Sequence, residues 1–157
     1  MNTVYDTSER LAQLPLAWGR ALDRADRTIL ESILDDDIVV DMTRATEKIG
    51  LQFPVLTGRA TVIDTMMAAV GPLDTMHLVG NVVVEGGWDG ARVEAYALAQ
   101  HFPPGQGTDP LSTRHALMGN TWTFDLRWTG RYFVVTRFEM DCLWIEGDPN
   151  VLLAAVS

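Results

Sequence analysis

Residues 77–101 read HLVGNVVVEGGWDGARVEAYALAQH. This stretch decides the fold. Apolar side chains dominate or alternate through His77–Glu85 and again through Ala91–His101, the pattern of two strands. Between them, Gly86-Gly87-Trp88-Asp89-Gly90 reads as a turn. A loop follows at Pro103-Pro104-Gly105-Gln106-Gly107. Two more strands are predicted, His115–Arg127 and Tyr132–Ile145, with their link near Thr129-Gly130. Consecutive strands with short links form an antiparallel meander.

Upstream the periodicity changes. Leu11, Leu14, Trp18 and Leu22 recur at steps of three and four, which predicts one face of a helix. Ser8 is placed to cap it, and Pro15 predicts a kink or a late start. A second helix fits Arg27–Leu34, capped by Asp26. Asp35-Asp36-Asp37 then reads as a solvated turn, because consecutive acids in a loop do not converge on one ion. Ile38–Met42 reads as a short strand and residues 43–57 as loop. Gly58–Val70 reads as a third helix. Helices grouped before a sheet predict an α+β fold. The expectation is an antiparallel sheet with one face covered by about three N-terminal helices, in one domain over residues 1–157; if the sheet is curved, it closes with them into a cone-shaped space. The gap between helices and sheet then becomes a mostly apolar pocket entered by a few polar groups.

Bulk composition narrows the function. The chain has 157 residues, 47% of them apolar, and a net charge of −9. That charge repels phosphate backbones and anionic membranes, so neither nucleic acid nor a membrane is an expected partner. Cys142 is the only cysteine, which forbids an intrachain disulfide and a cysteine metal cluster. It reads as a small apolar residue of a half-buried strand. No basic, apolar leader opens the chain and no run reaches roughly 18 apolar residues. A cytoplasmic protein is the expectation.

Nucleotide loops, zinc-protease motifs and serine-hydrolase elbows are absent from the sequence. His77, His101 and His115 are widely spaced, with no ligand-like pattern, so neither a metal nor a cofactor is expected. General acid–base chemistry remains. Asp23 ends the first helix beside its apolar face. It is either a surface acid or a carboxylate aimed into the cavity, and spacing alone favours the surface. His77 opens a strand and shares a face with Val79 and Asn81 by period-two alternation. It is either a satisfied structural histidine or a proton shuttle. Arg137 lies in an apolar strand, either at a surface or buried and paired. Met66 and Met67 lie on the apolar side of the third helix, as core or as the wall of an adaptable pocket. With Trp18, Asn81, Tyr96 and Trp122 they are the candidate substrate-binding residues. Register alone does not choose between Tyr96 and its neighbours Ala95 and Ala97.

Ala21-Leu22-Asp23-Arg24-Ala25-Asp26, then Gly58-Arg59 opening a helix, then His77-Leu78-Val79-Gly80-Asn81, and finally Leu143-Trp144-Ile145-Glu146-Gly147-Asp148-Pro149 together resemble the SnoaL-like branch of the nuclear transport factor 2-like superfamily. The resemblance spans residues 8–150 and rests on order and spacing rather than on one motif. It implies the cystatin-like cone. It also implies a catalytic set of Asp23, His77 and Arg137, with Trp18 on the pocket wall, since enzymes of this superfamily use an Asp–His pair with an arginine. By that resemblance the chain is a cofactor-independent lyase, isomerase or cyclase acting on an apolar intermediate of secondary metabolism. A shape-only cyclase and a non-catalytic binding or assembly protein are the rivals. The loops Thr43–Thr57 and Phe102–Thr113 are expected at the pocket mouth. Apolar residues on both faces of a one-layer sheet predict a homodimer or homotrimer.

Overall fold

The computed structural model describes residues 3–87 and 89–155. Trp88, in the middle of the expected hairpin turn, lies outside the described residues. Helix α1 spans Thr3–Asp23 and α2 spans Arg27–Ile33. Strand β1 (Leu34–Asp41), helix α3 (Thr43–Lys48), strand β2 (Leu56–Thr57) and helix α4 (Arg59–Ala69) follow. The meander then runs β3 (Asp74–Gly86), β4 (Gly90–Phe102), β5 (Ala116–Trp128) and β6 (Phe133–Gly147). A 3₁₀ turn at Pro149–Leu153 follows the last strand. None of these helices is long and apolar enough to cross a membrane.

The sheet is curved and unclosed, in the order β2-β1-β6-β5-β4-β3. It is mixed, which corrects the antiparallel expectation: β1 runs parallel to β6. The chain reaches that position through the long meander, so no tight turn has to join the two strands. The other pairings are antiparallel, with β4 and β5 in register from Gly90↔Arg127 to His101↔Ala116.

Four helices replace the expected three, because α3 and β2 occupy the stretch read as loop. Asp41 starts α3 by accepting from the Thr43 backbone N–H at 3.1 Å and its hydroxyl at 2.7 Å. Helix α1 begins before Ser8 and continues through Pro15. A proline removes one backbone bond, and packing along β3 keeps the helix in place. Asp26 caps α2 as its position predicted, accepting from Thr28 N–H at 3.0 Å. The Asp35–Asp37 run is strand, not turn: Asp35 is buried and paired with Arg127 across the sheet.

Period-two alternation explains the core. The inward residues of β4 are Val93, Ala95, Ala97 and Ala99, and those of β5 are Met118, Asn120, Trp122 and Phe124. The small inward residues of β4 face larger ones on β5: Ala95 pairs with Trp122, Ala97 with Asn120 and Ala99 with Met118. Trp18 from α1 stacks on Phe138 of β6, with ring centroids 4.6 Å apart. Helix α1 reaches the sheet this closely through Gly19. A Cβ there would lie 3.1 Å from the His77 Cβ and 3.4 Å from a Val79 methyl.

Candidate active site

The helices and the inner sheet face enclose a cavity of about 550 Å³. Its wall is mostly apolar. Trp18 and Leu22 come from α1, Met66 and Val70 from the α4 side, Met118 and Trp122 from β5, and Phe138 and Met140 from β6. Leu51, Gln52 and Phe53 line it from the segment before β2, as expected of the loop Thr43–Thr57. The loop Phe102–Thr113 does not line it. The Gly107 N–H donates to the Asp74 carboxylate at 2.7 Å, which ties that loop to the start of β3 instead. Leu152 and Leu153 of the C-terminal 3₁₀ turn line the cavity in its place.

Asp23 and His77 meet although 54 residues separate them. Asp23 is the last residue of α1, and β3 passes beneath it. Asp23 Oδ1 lies 2.6 Å from His77 Nδ1. The carboxylate also accepts the His77 backbone N–H at 3.0 Å and the Thr75 hydroxyl at 2.8 Å. Burial works to raise the Asp23 pKa, but these bonds from His77 and Thr75 outweigh it and hold the group below 3.8. An ionised carboxylate only accepts, so Nδ1 carries the imidazole proton and Nε2 keeps its lone pair. The His77 side chain is 4% exposed and lines the cavity, while Asp23 stands behind it.

Two further polar residues enter the same space. His101 is buried, with Nδ1 3.3 Å from the Ala116 carbonyl and its ring 5.4 Å from that of His77. Burial, with the nearby His77 ring adding to it, pushes the His101 pKa down to about 4, so it is neutral at pH 7. Asn120 is 2% exposed and its Oδ1 has no protein partner. The sequence reading passed over both. Ala95, Ala97, Ala99 and His101 share one strand face, as do Asn120 and Trp122. Once the alanines point inward, alternation alone brings His101 with them.

Several expected site residues lie elsewhere. Arg137 is on the opposite sheet face, paired with Glu139 at 2.7 Å and with Asp41 at 3.3 Å. Its neighbour Phe138 fills the inward position, and adjacent strand residues point opposite ways. Tyr96 is 54% exposed, for the same reason, between the inward Ala95 and Ala97. Asn81 is exposed with φ 50°, at an irregularity between Gly80 and Val83. The bulge flips the alternation, so His77 and Val79 face inward before it and Val82 and Val84 after it. Met67 packs against the core outside the cavity wall, one residue from Met66. Trp18, Met66, His77 and Trp122 are wall residues.

Helices thus close a curved sheet over a mostly apolar cavity, with His77 in its wall and Asp23 behind it. The chain belongs to the SnoaL-like domain family, whose model matches residues 5–137. No curated protein matches it in sequence. Among solved structures it is similar to an NTF2-like protein with a cystatin-like fold from Novosphingobium aromaticivorans, at TM-score 0.67 and 18% identity over 98% of this chain and 91% of that one. A type 2 hexachlorocyclohexane dehydrochlorinase gives TM-score 0.70 and 14% identity over 88% of each chain. A candidate scytalone dehydratase from Novosphingobium aromaticivorans gives 0.68 and 15% over 90% and 85%. At such identities the likeness is one of fold.

Proposed function

We propose that this chain is a cofactor-independent lyase, isomerase or cyclase in which His77 moves a proton on an apolar intermediate of secondary metabolism. The observation that carries the reading is the 2.6 Å Asp23–His77 contact at the wall of a largely apolar cavity. Solved structures of a dehydrochlorinase and of a candidate dehydratase with the same fold support the lyase side of it.

In this reading His77 Nε2 takes a proton from a carbon beside a carbonyl. The freed electron pair forms an enolate. In an elimination the β-substituent then leaves with its bonding pair, and the imidazolium returns the proton to the departing oxygen as water. In an isomerisation the same proton goes back to a different carbon. Asp23 holds the imidazole in the tautomer that leaves Nε2 basic and stabilises the cation that forms. Arg137, on the far face, has no part in it.

The test is turnover of a panel of cyclic β-hydroxy ketones, followed by the rise of enone absorbance. His77→Ala is expected to lose on the order of 10²–10⁴-fold in rate. Asp23→Asn is expected to fall similarly, because an amide donating to Nδ1 forces the proton onto Nε2. Circular dichroism controls for folding. Turnover by folded His77→Ala at the wild-type rate would remove acid–base catalysis and leave the shape-only cyclase. Binding of the panel without turnover by the wild type would leave a binding protein.

A further inference from the structure

The Trp122 indole is 2% exposed, and its Nε1–H is buried without a hydrogen-bond partner. A buried indole N–H normally finds one, since an unpaired donor loses its bond to water without replacement. Trp122 lines the cavity. Its ring is fixed edge-on to Phe124 and Phe138, with centroids 6.3 and 5.9 Å away, so it has little freedom to turn toward a backbone carbonyl. The same ring lies 5.6 Å from that of His77.

We propose that the Trp122 indole N–H is a ligand-binding donor that receives a neutral carbonyl oxygen and holds it beside His77. An indole N–H only donates, so the ligand atom is an acceptor. Among the described residues the cavity wall has no lysine or arginine, and the chain carries a net charge of −9, which disfavours a carboxylate or phosphate. Because the two rings lie 5.6 Å apart, a ligand whose oxygen is held by Trp122 also lies beside the imidazole. This rests on the proton-transfer reading of His77 and deepens it: the donor to the developing enolate oxygen is the indole. A fixed donor aimed where charge develops acts without reorganising.

The matched probes are 1-indanone and indane, which share a skeleton and differ in one carbonyl. Nitrogen-15 indole spectra of the wild type, with the Trp122 signal assigned through its contact with the His77 ring, report the bond directly. Indanone is expected to move the Trp122 indole proton downfield, and indane to leave it nearly in place. Trp122→Phe, which keeps an aromatic ring, is expected to weaken indanone roughly 5–10-fold and indane less than about 2-fold. An unmoved indole proton, equal losses for both probes, or no binding of indanone overturns the proposal. The wild-type spectrum decides even if Trp122→Phe fails to fold. Exchange of the indanone α-protons in heavy water, measured alongside for wild type and His77→Ala, keeps the two readings apart. Trp122 discrimination without His77-dependent exchange sinks the catalytic reading alone. His77-dependent exchange without Trp122 discrimination sinks this inference alone.

Discussion

At the scale of single residues, the two cavity histidines have opposite surroundings. His77 has a carboxylate against Nδ1, whereas His101 has a backbone carbonyl and apolar burial. His101 therefore stays neutral in the fold down to about pH 4, while the unfolded chain takes up that proton below 6.5. Between those values the unfolded state binds more protons, so stability falls as the pH is lowered through the window. The full effect is on the order of 3 kcal/mol. Asp23 acts in a different window, since its depressed pKa supports the fold above 3.8 and loses effect only as the pH falls below that. Urea titrations at pH 7 and pH 4.5 are expected to show the His101 loss in the wild type and a much smaller one in His101→Leu. An equal loss in both proteins would assign the acid sensitivity to other groups.

At the scale of elements, the site depends on how closely α1 lies on β3. Asp23 reaches His77 because Gly19, one turn earlier, lets the helix settle against the strand. The His77 Cβ is anchored to the strand backbone and cannot yield as a flexible side chain would. Gly19→Val is expected to push α1 outward and to destabilise the protein by about 1–3 kcal/mol, the usual cost of overpacking. It should lower any His77-dependent rate by more than the loss of folded protein accounts for, because the 2.6 Å contact lengthens. Thermal denaturation and turnover on the same samples separate the two effects. A stable Gly19→Val protein with unchanged turnover would mean that the helix position does not set the pair. The bulge at Gly80–Val83 belongs to this scale too. It let alternation predict His77 and Val79 correctly and fail at Asn81, four residues along the same strand.

At the scale of the whole molecule, the outer sheet face is unusually apolar. Met76, Leu78, Tyr96, Leu98, Leu143 and Trp144 are exposed there or nearby, and Trp144 lies over Gly119 where no side chain would fit. Leu78 pairs with Leu98, and Leu98 with Gly119, so the row is continuous across three strands. Several charged groups beside it pair among themselves: Arg92 with Asp125 at 2.8 Å, Arg137 with Glu139 at 2.7 Å, and Lys48 with Asp141 at 2.5 Å. Such pairing lowers the repulsion between two chains of charge −9 that approach through this face. A second copy of the chain is the expected occupant. Light scattering should give a dimer or trimer, and Leu98→Glu should shift it toward monomer with its circular dichroism unchanged. A strictly monomeric wild type would refute this assembly.

Local order along the chain determined α1, α2, α4, the meander and the Asp26 cap, because periodicity and capping act over a few neighbouring residues, and it missed the short α3 and β2. The pairing of Asp23 with His77 was legible only through resemblance, since nothing local links residues 54 apart. What remained needed the tertiary structure. Alternation says that Arg137 and Phe138, or Ala95 and Tyr96, face opposite ways, but not which way is in. That choice is made by register, and register is set by the helix covering the other face and by bulges that insert a residue into the count. The parallel seating of β1 on β6 has the same origin, because it joins segments about a hundred residues apart whose own sequences carry no sign of each other.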